Sequence, residues 1–180
     1  NSNTQGTNPV AACVVFKNGK PSKRDYRHFN IKTVVGANDY ASMYEVVYRR
    51  YSRLLAEGGE IPQLIVIDGG RGQLHFAYDA LKNLGLLGDR PGCPTSPQMR
   101  PLPHVEVISI AERLEEIMIP GDPTPLFLDK NSPALKLLMH LRDEAHRFGI
   151  THHRSKRTKN QITSQLLQIK GVGEATQQKL

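Results

Sequence analysis

The chain has 180 residues, 38% of them hydrophobic and 23% charged, with a formal charge of +7. That size suits one domain with a small appendage, and the absence of any membrane-length apolar run or signal-peptide pattern argues against a membrane or exported protein. Cys13, in an apolar run, and Cys93, in a Pro-rich stretch, make neither a disulfide framework nor a zinc site and suit a reducing compartment.

Residues 10–16 form an apolar run that predicts a strand, and Asn18-Gly19 behind it is a hairpin signal. A returning strand is expected over 23–30 and a third over 31–35, closing a meander. A helix is expected from Asp39, with Tyr40, Tyr44, Val47, Tyr48, Tyr51, Leu54 and Leu55 on one face and Gly58-Gly59 as its stop. Leu64-Ile65-Val66-Ile67 then reads as a buried strand that ends abruptly in Asp68. A helix over 73–84 follows, with Ala77, Ala80, Leu81 and Leu84 on one side. Residues 88–104 hold five prolines and read as a loop. A second buried strand covers 105–110, and 117–119 with 126–128 flank Pro120-Gly121-Asp122-Pro123 as a small hairpin. Ser132 as N-cap and Pro133 in the first turn open the last helix, with Ala134, Leu138, Leu141, Ala145 and Phe148 on its apolar face. This order predicts an α/β fold with a mixed sheet.

From Arg147 to Lys159 the chain carries Arg147, His152, His153, Arg154, Lys156, Arg157 and Lys159 without an acid. Such a block reads as phosphate contact or as a solvated tail. Ile169-Lys170-Gly171-Val172-Gly173 places two glycines where backbone amides can approach a phosphate; an ordinary helix-ending loop is the alternative.

Asp68 is the most informative residue. A carboxylate at the C-terminal end of a buried strand stands where such sheets place their chemistry. It can hold a divalent cation that activates water, or merely cap the next helix. Arg71 follows near a helix N-terminus, as a phosphate contact or a solvated surface arginine. A nucleotide-binding reading of Asp68-Gly69-Gly70 competes, but the chain has neither a Gly-x4-Gly-Lys phosphate loop nor a Gly-x-Gly-x-x-Gly fingerprint.

Seven segments then carry a family resemblance. They are Asn1-Ser2-Asn3-Thr4-Gln5-Gly6, Tyr26-Arg27, Asn38-Asp39-Tyr40, Ile67-Asp68-Gly69-Gly70-Arg71-Gly72-Gln73, Ser132-Pro133-Ala134, Leu141-Arg142-Asp143-Glu144-Ala145-His146-Arg147-Phe148 and His153-Arg154-Ser155-Lys156-Arg157. In this order the chain resembles the C-terminal half of UvrC, the incision subunit of the bacterial excision-repair nuclease. The resemblance implies an RNase H-like mixed sheet flanked by helices over 1–150, a basic linker over 151–162, and the first part of a truncated helix-hairpin-helix DNA-binding domain over 163–180. It also implies Mg²⁺- or Mn²⁺-dependent cutting of damaged double-stranded DNA on the 5′ side of a lesion, with UvrB and the UvrA–UvrB system as partners in the bacterial cytoplasm. UvrB is expected to bind through a segment outside this chain, and neither a membrane nor a small-molecule cofactor is expected.

By the resemblance, Asp68 and His146 match the family's metal and catalytic positions, and Asp39 a further acidic position tied to activity. His146 is then a metal ligand or the group that positions or deprotonates water. On the residues alone it reads as a helix-surface histidine paired with Arg142 or Asp143. Arg142 can hold a phosphate or orient a carboxylate, and Asp143 can form a structural ion pair. Arg71, Arg142, Arg154, Lys156, Arg157, Lys159, Gly171 and Gly173 are the expected DNA contacts. Two departures stand out. The family's first-strand Asp falls one residue before Asn1, so the chain as given is expected to be inactive or weak, a binding module in effect. Ala111-Glu112 replaces a frequent Ala-Lys.

Overall fold

The computed structural model describes residues 10–34, 38–87, 105–111 and 115–167, with 152–167 as backbone alone. Strand β1 (Val10–Cys13) pairs antiparallel with β4 (Arg27–Asn30), Val10 opposite Asn30 and Cys13 opposite Arg27. Between them β2 (Phe16–Lys17) and β3 (Lys20–Pro21) form the expected hairpin. Asn18 and Gly19 turn it with φ of 53° and 73°, the left-handed pair that a tight two-residue turn requires.

The meander is otherwise shorter than expected, for two local reasons. Residues Lys23–Asp25 form a 3-10 turn instead of strand. There the Ser22 hydroxyl donates to Asp25 Oδ2 at 2.7 Å while Asp25 N bonds Ser22 O, a side-chain and backbone capture that competes with a ladder. No strand forms over 31–34. The Lys32 and Thr33 amides donate to the Glu45 carboxylate at 3.0–3.2 Å, and the Thr33 hydroxyl adds a 2.7 Å bond, so these donors serve a side chain.

Helix α1 (Asp39–Ala56) starts where expected, capped by Asn38, whose Oδ1 accepts from Ala41 N at 3.0 Å. Its buried arc differs from the expected stripe. Val47 and Tyr51 enter the core, and Ser42, Glu45 and Val46 are buried as well, whereas Tyr40 and Tyr48 stay 48% and 38% exposed. The arc is wide because Glu45 is drawn toward residues 32–33 while Val47 and Tyr51 face the main core.

Strand β5 (Leu64–Asp68) pairs in parallel with β6 (Glu106–Ile110), Asp68 opposite Ile110, and β6 pairs antiparallel with β7 (Ile117–Met118). An Ile117–Leu126 bridge completes the expected hairpin beyond β7. Helix α2 (Arg71–Asn83) buries Ala77, Ala80 and Leu81 completely. Gly72 lets α1 approach closely at the start of α2, where a Cβ would run into the Tyr40 ring. Ile65, Ile67 and Val107 join Val47, Tyr51, Leu74 and these α2 residues in one core. Burying each large side chain there contributes about 2 kcal/mol.

The two-residue period of a strand decides where Asp68 points. Ile65 and Ile67 face the α1–α2 core, so Asp68 faces the opposite side of the sheet. That side meets α3 (Pro133–Leu167). Here Leu135 is buried and Ala134 exposed, a one-residue shift from the expected stripe, while Leu138, Leu141, Ala145 and Phe148 are half-buried as that stripe requires. The backbone of α3 continues through 151–162, the stretch expected as a linker. Among the described residues no helix is long and apolar enough to cross a membrane.

Candidate active site

The C-terminal edge of the parallel pair opens into a cavity of about 230 Å³ lined by Asp39, Asp68, Gly69, Gly70, Gln73, Ala111 and His146. Each element delivers one part of it. Strand β5 ends in Asp68, and the ladder extends one more step through Gly69 N to Ile110 O at 3.1 Å. Gly69 then turns with φ of 151°, which suits glycine, and Gln73 Oε1 accepts from Gly70 N at 3.1 Å to fix the start of α2. No acid occupies the first turn of α2, whose N-terminal residues Gly70 and Gln73 line the cavity beside Asp68. Asp39 arrives on the first turn of α1, and Asn38 caps that helix.

His146 Nε2 lies 2.5 Å from Asp68 Oδ2, with side-chain exposures of 40% and 27%. When Nε2 carries the proton it donates to the carboxylate. The pairing of His146 with Arg142 or Asp143, left open by the sequence, is therefore not the one found. Arg142 instead gives Nε and Nη2 to Asp143 Oδ1 at 3.2 and 3.0 Å, and its side chain is 11% exposed, with Nη1 buried and without a hydrogen-bond partner.

The position of His146 depends on contacts that sequence reasoning missed. Tyr26 donates its hydroxyl to Glu144 Oε1 at 3.0 Å, and Arg147 donates to both oxygens of Glu144. Burial, reinforced by Glu144, pushes the Tyr26 phenol up to about 12. The Arg147 hydrogen bond holds the Glu144 carboxyl at about 2 against the opposing effect of burial. Phe148 stacks on His28 at 3.8 Å and meets Tyr26 edge-on at 5.0 Å. These groups fasten α3 to β4 and the residue before it, two positions either side of His146. Tyr26 and Glu144 lie 118 residues apart, and no local pattern marks such a pair. Ala111, noted in the sequence only as part of the Ala111-Glu112 departure, also lines the cavity; the equal length of β5 and β6 carries the residue after β6 to the same rim as Gly69.

Other expected contacts are placed differently. Arg71 donates to the carbonyls of Asp122 and Pro123, so its guanidinium braces the turn after β7. It borders a larger cavity of about 340 Å³ on the outer side of α2. The carboxylate–imidazole pair there, His75–Asp79 at 3.4 Å and 70% and 44% exposed, is an ordinary ion pair one turn apart on a helix surface. For Arg154, Lys156, Arg157 and Lys159 the backbone is helical, while Gly171 and Gly173 lie outside the described residues, as does most of the segment expected as a helix-hairpin-helix.

The donor set suits a hard divalent cation: carboxylate oxygens from Asp68 and Asp39 and an imidazole nitrogen line one small polar cavity. Among the described residues no three such groups lie close enough to hold an ion between them. The fit is thus that of a partial ligand set built on the Asp68–His146 pair.

Fold and site together define an α/β domain with a polar cavity at the C-terminal edge of a mixed sheet. The family model of the UvrC RNase H endonuclease domain matches residues 1–150, and the chain belongs to that family. The RNase H-like fold expected from the sequence is thereby established. Three relatives, each named UvrABC system protein C, illustrate the similarity. The protein of Christiangramia forsetii is 57% identical over 176 residues, 98% of this chain and 27% of its own. That of Porphyromonas gingivalis is 56% identical over 180 residues, 100% and 28% of the two chains. That of Chlorobaculum tepidum is 48% identical over 180 residues, 100% and 26%. The chain spans about a quarter of the length of these curated relatives.

Proposed function

We propose that this domain is a metal-dependent DNA endonuclease module that makes the 5′ incision of nucleotide excision repair, working with the UvrA–UvrB system on damaged duplex DNA in the bacterial cytoplasm. The observation that carries the reading is the Asp68–His146 contact in a cavity shared with Asp39 and the N-terminus of α2. Family membership and the name of the relatives support the same direction.

The residues suggest a division of labour. The N-terminus of α2 favours an anion and receives the scissile phosphate. Asp68, with Asp39 beside it, would hold Mg²⁺ or Mn²⁺, which when bound would supply Lewis acidity and lower the cost of ionising water. Asp68 orients the imidazole through Nε2, which leaves one ring nitrogen either to complete the ligand set or to hold or take the proton of the attacking water. The Tyr26–Glu144–Arg147 network and the His28–Phe148 stack keep that ring aimed at the cavity. The basic run from Arg154 to Lys159, with Gly171 and Gly173, would add phosphate contacts.

A second reading, a DNA-binding module without catalysis, is favoured by the lack of a three-group metal cluster among the described residues. Asp68→Asn separates the two. In a full-length UvrC carrying this segment, the variant should cut damaged duplex at least about 100-fold more slowly, because it removes a charged ligand and the partner of His146. DNA affinity and melting temperature should stay near those of the parent. An unchanged cutting rate would exclude the nuclease role of this site.

A further inference from the structure

Tyr40, one of the tyrosines outside the core, forms with Phe76 an aromatic surface beside the cavity. Tyr40 immediately follows Asp39, and its ring lies over the backbone of Gly72, one residue before Gln73, which lines the cavity. Phe76 on α2 stacks on Tyr40 with ring centroids 5.7 Å apart and planes within 16°. The two rings are 48% and 36% exposed. His75 stands edge-on to Phe76 at 5.9 Å, extending the aromatic surface along α2.

Sealing the α1–α2 crossing over Gly72 explains why a flat ring sits there. It does not explain why a second large aromatic is stacked on the first at the solvent boundary, where burial of either is incomplete. Aromatic faces exposed in this way, next to a site that receives a phosphodiester, match the platforms on which unpaired bases stack. Inside an intact duplex a base has no free face to offer. Where stacking is interrupted, as at damage, the cost of presenting one is smallest.

We propose that Tyr40 and Phe76 form a stacking platform for an unpaired nucleobase next to the phosphate bound in the Asp68–His146 cavity. This deepens the nuclease reading and rests on it. The platform makes the domain select locally unpaired DNA over intact duplex, without reading sequence, because every base has a π-face. Tyr40 and Phe76 act as specificity-determining residues.

The test compares two probes with the chain as it stands: a short duplex with one bulged nucleotide and the same duplex fully paired, with Ca²⁺ as the divalent ion and binding followed by anisotropy. The bulged probe should bind about tenfold more tightly, the scale of one base–aromatic stack. Phe76→Leu and Tyr40→Leu should collapse that ratio toward one, while Tyr40→Phe, which keeps the ring, should preserve it. If Tyr40→Leu fails to fold, Phe76→Leu at the outer ring decides. An unchanged ratio in folded leucine variants, or equal loss on both probes, would overturn the platform and leave the nuclease reading intact. Failure of the parent to bind either probe would overturn both.

Discussion

Glu45 and Asp68 are both carboxylates set into the body of the domain, and the chain surrounds them in opposite ways. Glu45 is 7% exposed and accepts from Lys32, Thr33 and Arg49, five bonds in all. Burial pushes its carboxyl up, but the bonds from Thr33, Lys32 and Arg49 outweigh this and hold it at about 2. Asp68 is 27% exposed, meets one imidazole, and faces a cavity. A saturated carboxylate fixes a segment; an unsaturated one at a strand end keeps coordination capacity for something else. The contrast separates structural from functional acids without appeal to burial alone.

The largest expected effect breaks the structural member. Glu45→Ala should cost about 2–4 kcal/mol, since it strips the amides at 32–33 and Arg49 of their acceptor together. Chemical denaturation measures it as a lower midpoint at unchanged slope. Any loss of DNA cutting should follow the unfolded fraction alone.

The pH dependence sharpens the same comparison. Because the folded Glu45 carboxyl is depressed, its contribution is fully present above the unfolded value, near 4.5, and is lost as pH falls through about 2. Stability should therefore fall between about pH 5 and pH 2, with Glu45 accounting for on the order of 3 kcal/mol. Glu45→Gln should flatten that part of the curve. An equally steep curve in the variant would move the acid sensitivity elsewhere.

The smallest effect on stability is expected from the basic run. Neutralising Arg154, Lys156, Arg157 and Lys159 together should leave the melting temperature nearly unchanged. It should flatten the salt dependence of DNA binding by up to about four counterion units, similarly for different sequences. An unchanged salt slope would mark the run as solvated and turn attention to Arg49, Arg50 and Arg53.

These comparisons also show what the sequence made legible. The buried runs of β5 and β6, the α1 and α2 boundaries and the Asn18-Gly19 hairpin all rest on strong local signals, and the structure follows them. Asp68 was conspicuous because a charge ends an apolar strand. His146 had no such signal on its own helix; its link to Asp68 spans 78 residues and came into view through the family motif. The errors share one cause, tertiary override of a local pattern. Glu45 captures the amides expected in a third strand, Gly72 lets Tyr40 ride outside the core, and at the start of α3 Leu135 is buried in place of Ala134. Arg71, open in the sequence as a phosphate contact or a solvated arginine, donates to two carbonyls of a turn 51 and 52 residues away.

The central claim is that Asp68 and His146 share a divalent cation. Titrating Mn²⁺ while following the histidine ring signals by NMR tests it most directly, because paramagnetic broadening reports proximity to the ion and needs no DNA. The account predicts that His146 broadens first among the seven histidines, and that Asp68→Asn weakens the effect. Broadening that is equal across the histidines, or confined to others such as His75, would contradict it.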